Sequence, residues 1–218
     1  MDRQIASTAP RRRLAPTLAA LAAVATLWHA PACAQAEREI AYAGLGIGQS
    51  NYKWRNNPSG STGICGAIGQ ISCEDKPVAF KLFVGYNLTD NFGIEGAYYD
   101  AGRASLTYAD PLFGSINQKA ILNGYSVSAV GTLPVGRAFV SGRIGVAAST
   151  LIRKDEAVGI GIREQRTKPQ PTLGVGGGFT LWRSIAARLD WDRYRGESAR
   201  GERFEADVVT LNLFYRFQ

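Results

Sequence analysis

Val208-Val-Thr-Leu-Asn-Leu-Phe-Tyr-Arg-Phe217 is the stretch whose reading decides the fold. Successive side chains of an extended chain point to opposite faces. Val209, Leu211, Leu213, Tyr215 and Phe217 therefore share one side. Thr210, Asn212 and Arg216 share the other, with Phe214 the exception. A strand that is apolar on one face, polar on the other and ends on aromatics suits a barrel closed in a membrane. Its lipid face must be apolar, while a small lumen can be polar.

Seven further segments of this character precede it: 40–54, 78–88, 92–108, 118–132, 138–152, 171–181 and 185–195. The cleanest is 78–88. There Val78, Phe80, Leu82, Val84, Tyr86 and Leu88 face one way, and Ala79, Lys81, Phe83, Gly85 and Asn87 the other. The connections alternate in length. Polar stretches at 55–77, 109–117, 153–168 and 196–203 take turns with short ones at Thr89-Asp90-Asn91, Leu133-Pro-Val-Gly136 and Trp182-Arg-Ser184. The pattern predicts an all-β fold, an eight-stranded antiparallel up-and-down transmembrane β-barrel. Both termini and the three short turns fall on one side, and four loops on the other. Phe80, Tyr86, Phe92, Tyr98, Tyr125, Trp191, Tyr215 and Phe217 supply aromatics for the two membrane interfaces. A soluble lipocalin-type barrel, apolar inside and polar outside, has the same parity and is the competing fold.

The 218 residues make one domain by length, and 45% of them are hydrophobic. After the N-terminal segment no apolar run reaches the ~18 residues of a membrane helix. Residues 1–34 read as a cleavable export signal, leaving 35–218 as the barrel domain. Arg3 and Arg11-Arg12-Arg13 give the positive start, Leu14 to Trp28 the apolar part, and Ala32-Cys33-Ala34 the small-residue cleavage pattern. A membrane anchor and a lipidated Cys33 are the alternatives. Four of the 25 Lys and Arg and one of the 18 Asp and Glu lie in that segment, so the formal charge falls from +7 to +4 on its removal. Much of the basic excess thus belongs to the targeting segment and gives no support to a nucleic-acid partner, which would want a clustered basic face. Cys65 and Cys73 remain, close enough to form a disulfide in an oxidising compartment.

Phe83-Val-Gly-Tyr-Asn-Leu-Thr-Asp-Asn-Phe-Gly-Ile-Glu-Gly-Ala-Tyr98, a strand–turn–strand, and the terminal aromatic strand resemble the small eight-stranded outer-membrane β-barrels. That family is typified by the OmpA transmembrane domain and OmpX-like porin-family proteins. The resemblance spans roughly residues 38 to 218. It implies the outer membrane of a Gram-negative bacterium, with lipid and lipopolysaccharide as surroundings and a monomeric state. It also implies that Leu213, Tyr215 and Phe217 form the C-terminal signal read by the barrel-assembly machinery; here Gln218 follows the last aromatic.

The only histidine is His29, inside the proposed signal. Enzymes among small outer-membrane barrels rely on histidine, so the resemblance implies no enzyme. Asp190 and Asp192 share a strand face and could serve acid–base work, but no nucleophile or metal cluster surrounds them, and beside Arg188 they read as structural. Gly174 to Gly178 lies within a strand and lacks the Lys-Ser/Thr of a phosphate loop. No cofactor or metal is indicated. Lys81, Glu95, Arg143, Arg188 and Asp190 all have lumen parity. Charges in a narrow lumen must pair, because desolvation costs several kcal/mol per ion. Such pairs form either a static plug or a gate. Two functions follow: a surface-interaction or structural barrel acting through its four loops, contacting lipopolysaccharide or host molecules, or a narrow gated channel for small solutes or ions.

Overall fold

The alternation is realised in a computed structural model, which describes residues 40–54, 65, 70–110, 114–157, 160–198 and 203–217. The proposed export signal lies outside the described residues, as does most of 55–69. Nine strands follow in order: β1 Ala41–Trp54, β2 Gln70–Glu74, β3 Val78–Asn87, β4 Phe92–Asp110, β5 Gly114–Val135, β6 Ala138–Ala157, β7 Ile160–Thr180, β8 Ile185–Glu197 and β9 Arg203–Phe217. Every pairing is antiparallel. Because β1 pairs with both β3 and β9, all strands except β2 join in one closed ring of eight. The closing seam runs from Ala41 opposite Phe217 to Trp54 opposite Phe204.

Three loop expectations are corrected. The stretch 55–77 contains β2, which pairs with the far end of β4 from Gln70–Tyr108 to Glu74–Ser105. The stretch 153–168 is mostly strand: β6 and β7 stay in register from Ala138–Phe179 to Ala157–Ile160. In the same way, β4 and β5 leave only 111–113 of the expected loop 109–117 outside their strands. The physical reason is common to all three. Beyond the membrane both sheet faces meet water, so the ladder continues without the apolar–polar contrast that reveals it in sequence.

The outward face is apolar. Leu45, Val84 and Ile144 are 54%, 62% and 72% exposed, whereas Lys81 and Glu95 are 2% exposed inside. This is the inverse of a lipocalin and excludes the soluble alternative. A bulge between Asp100 and Arg103 shifts β4 by one residue. Gly102 adopts φ +78° there, and its N–H donates to Asp100 Oδ1 at 2.8 Å. Parity therefore flips, and Ala104 and Leu106 turn inward beyond it.

The lumen is filled in layers. Tyr42, Phe83, Phe214, Ala97 and Ala186, with Phe139 against them, pack at the end of the short turns. Phe214, the sequence exception, thus belongs to an inner aromatic layer. At the other end Tyr52, Tyr99, Tyr194, Leu106, Leu122, Leu151 and Phe204 form a second apolar layer. Tyr99 and Tyr194 stack at 3.6 Å between centroids.

Candidate functional site: the charged layer of the lumen

Between the two apolar layers lie Lys81 of β3, Glu95 of β4, Arg143 of β6, and Arg188, Asp190 and Asp192 of β8. Glu95 meets Arg188 at 2.9 Å, Lys81 at 3.3 Å and Arg143 at 3.9 Å. Asp190 meets Arg188 at 2.9 Å, Arg143 at 3.1 Å and Lys81 at 3.7 Å. Asp192 lies 2.9 Å from both Lys81 and Arg143. All six are buried. With three cations and three carboxylates the layer is neutral, and every ion has two or more opposite partners to offset its desolvation.

All five residues assigned to the lumen from parity lie together here. Asp192, which shares the strand face of Asp190 and Arg188, is a sixth ion of the layer. It bonds across the lumen to Arg143 Nε and Nη2 and to Lys81. Its parity was legible, but its partners come from distant strands. Tyr42 was missed: its hydroxyl donates to Glu95 at 3.1 Å. Arg188 links the charged layer to the aromatic one, with its guanidinium 4.9 Å from the Phe83 ring centroid and 5.5 Å from that of Phe214.

Cys65 and Cys73 are joined as a disulfide, their Cα atoms 5.7 Å apart. Cys73 packs on the upper apolar layer of the lumen. Leu213, Tyr215 and Phe217 point outward along the closing seam, and the rings of Tyr215 and Phe217 lie 5.0 Å apart.

Above the apolar band the outer wall of β1, β9 and β8 becomes charged. Asp207 accepts from Arg193 Nε at 2.6 Å and from Lys53 at 2.8 Å, and Glu205 accepts from Arg195 at 3.1 Å. Partial burial pushes the Asp207 carboxyl up, but the hydrogen bonds from Arg193 and Lys53 more than offset this and hold it below the usual carboxylate value. A depressed folded-state pKa gives stability that is present above the unfolded value and lost as pH falls through the folded one. For this solvent-screened pair we expect Asp207→Asn to cost up to about 1 kcal/mol at neutral pH. The difference should vanish in acid, as read from melting temperatures of the two proteins across pH.

A closed antiparallel ring with an apolar outer band and a packed, charge-bearing lumen defines a transmembrane barrel of the outer membrane. The chain belongs to the family described as "Outer membrane protein beta-barrel domain", whose model matches residues 19–217. Its place is the outer membrane of a Gram-negative bacterium. Among solved structures it is similar to Ail, the attachment invasion locus protein of Yersinia pestis. That match has 15% identity, covers 83% of this chain and 100% of that one, and has a TM-score of 0.53. It is also similar to Neisserial surface protein A, with 10% identity, 81% and 97% coverage and a TM-score of 0.50. At these identities the likeness is one of fold. No curated protein sequence matches the chain.

Proposed function

We propose that this barrel is a non-enzymatic surface-interaction protein whose recognition element is the sheet that β4 to β7 raise beyond the membrane. One observation carries the reading. β7 pairs with β6 along its whole length, but its pairing with β8 spans only Leu173–Arg193 to Thr180–Ala186. From Ile160 to Thr172 one edge of β7 therefore lacks a neighbouring strand among the described residues, and a free edge can accept an extended segment of a partner. Side chains span the slit towards β8: Arg166 Nη1 donates to the Ser198 carbonyl at 3.1 Å and Lys168 to Glu197 at 2.5 Å. Mixed charges read from sequence as one loop are sorted by parity, Arg153 inward and Arg163 outward. The test replaces 153–164 with an Asn-Gly hairpin turn. Binding of nanodisc-embedded barrels to immobilised extracellular-matrix proteins should fall to background while heat-modifiable gel mobility persists. Unchanged binding would refute the role of the sheet.

The gated channel is the second reading, and the buried charges favour it. Against it stand the aromatic layer below and the tyrosine layer above, which fill the lumen on either side of the charges. We expect the refolded barrel to be silent in a planar bilayer; discrete conductance that changes in Glu95→Ala would reverse the choice. Neutralisation of Asp190 and Asp192 by lumen cations supports a non-enzymatic role. The same proposal includes a cleaved signal at 1–34, a monomeric state and recognition of Leu213, Tyr215 and Phe217 by the assembly machinery. Phe217→Ala should lower the amount of folded barrel in outer-membrane fractions without lowering its melting temperature once folded.

A further inference from the structure

The outer wall of the raised sheet carries a row of like charges that the opposite wall avoids. On β1, β9 and β8, Lys53 lies opposite Glu205, which in turn lies opposite Arg195, so an acid separates the two bases. On β5, β6 and β7, Lys119 lies opposite Lys154, and Lys154 opposite Arg163. Like charges directly across strands are destabilising. Lys119 reaches only Glu156, at 3.5 Å, and neither Lys154 nor Arg163 has an ion-pair partner among the described residues. Arg103 stands exposed beside them, opposite Ile121 on the next strand. Nothing in the fold requires this arrangement, and a polyanion outside the wall would remove its cost.

Position says which polyanion. The row lies six residues along β5 from Tyr125, whose ring packs on Tyr98 at 5.2 Å in the outward aromatic girdle. At about 3.4 Å per residue and a tilt of about 40° that is about 15 Å beyond the girdle. Asn123, Thr150 and Thr167 occupy an intervening row, the two threonine hydroxyls 2.8 Å apart. Counting outward, the wall offers aromatic rings, then amide and hydroxyl groups, then the row Ile121, Ile152 and Gln165, and then the cations. A row of cations about 15 Å beyond the girdle lies past the acyl chains, at the depth where the sugars of a surrounding glycolipid carry phosphate. We propose that Lys119, Lys154 and Arg163 bind the phosphorylated core sugars of lipopolysaccharide in the surrounding leaflet. The inference rests on the membrane placement of the barrel and not on the free edge of β7.

The test titrates detergent-folded barrel with lipopolysaccharide bearing a phosphorylated core and with the same material chemically dephosphorylated. The variants are Lys119→Gln/Lys154→Gln/Arg163→Gln and, on the opposite wall, Lys53→Gln/Arg195→Gln. The first should weaken binding of the phosphorylated form about tenfold or more, leave the dephosphorylated form unchanged and, by relieving repulsion, melt no lower than wild type. The second should bind as wild type. In the unmutated barrel, salt should weaken binding of the phosphorylated form alone. Equal losses on both glycolipids, equal losses in both variants, or a salt-insensitive affinity would overturn the proposal. So would loss of binding to soluble heparin with lipopolysaccharide binding intact, since the row would then serve a soluble polyanion.

Discussion

Glu95→Ala is expected to destabilise the folded barrel by about 3–5 kcal/mol, the cost of removing one partner from a buried ion cluster. Glu95 is the carboxylate nearest the aromatic layer, shared by Arg188, Lys81 and Arg143 and hydrogen-bonded by Tyr42. Its loss leaves two acids facing three cations between two apolar layers. Water cannot readily solvate the surplus charge there, and Phe83 and Phe214 offer Arg188 only their ring faces. Denaturant unfolding of the detergent-folded protein, followed by tryptophan fluorescence and heat-modifiable mobility, would measure it. A second removal restores neutrality, so Glu95→Ala/Lys81→Met should recover much of the loss, with a coupling of about 0.5–3 kcal/mol. If Glu95→Ala costs less than about 1 kcal/mol, the ions are screened as on a surface, and the sealed lumen is wrong.

What sequence could reveal here follows from where each residue meets lipid. Within the membrane, lipid on one side and a packed lumen on the other impose opposite chemistry on neighbouring residues. Once the apolar face is taken as the lipid face, Lys81 between Phe80 and Leu82, or Glu95 after Ile94, is therefore placed in the lumen by parity. Hence the ring of eight, its orientation and five of the six lumen ions were legible. Beyond the lipid that contrast ends, so the outer halves of β6 and β7 read as a charged loop although their ladder runs unbroken to Ala157–Ile160. The bulge at Gly102 further reverses parity within β4, and no alternation rule anticipates that. Partnerships across the lumen, such as Asp192 with Lys81, depend on barrel curvature and stagger, quantities absent from any single strand. The same holds for the row Lys119–Lys154–Arg163: each cation is ordinary alone, and only register sets them side by side.

Gly48→Val is expected to prevent closure of the barrel, while Gly142→Val is tolerated. Valine is a good strand residue, so propensity alone would favour both changes. Their surroundings differ. Gly48 faces the lumen on β1, opposite Thr210 across the closing seam. A Cβ there would run into the carbonyl oxygen of Val209 and come within 2.7 Å of Thr210 Cα. Both are backbone atoms of β9, so no rotamer change can move them; relief requires parting the strands that close the ring. Overpacking of this kind costs about 3 kcal/mol or more where the backbone itself must yield. A Cβ on Gly142, pointing outward from β6, meets nothing within 4 Å. The first variant should therefore yield no heat-modifiable species on refolding, and the second should fold with wild-type yield. Recovery of Gly48→Val as a normally folded barrel would mean that β1 and β9 meet in a different register. The lumen side of the seam, and with it the positions of Thr210 and Asn212 beside the charged layer, would then have to be redrawn.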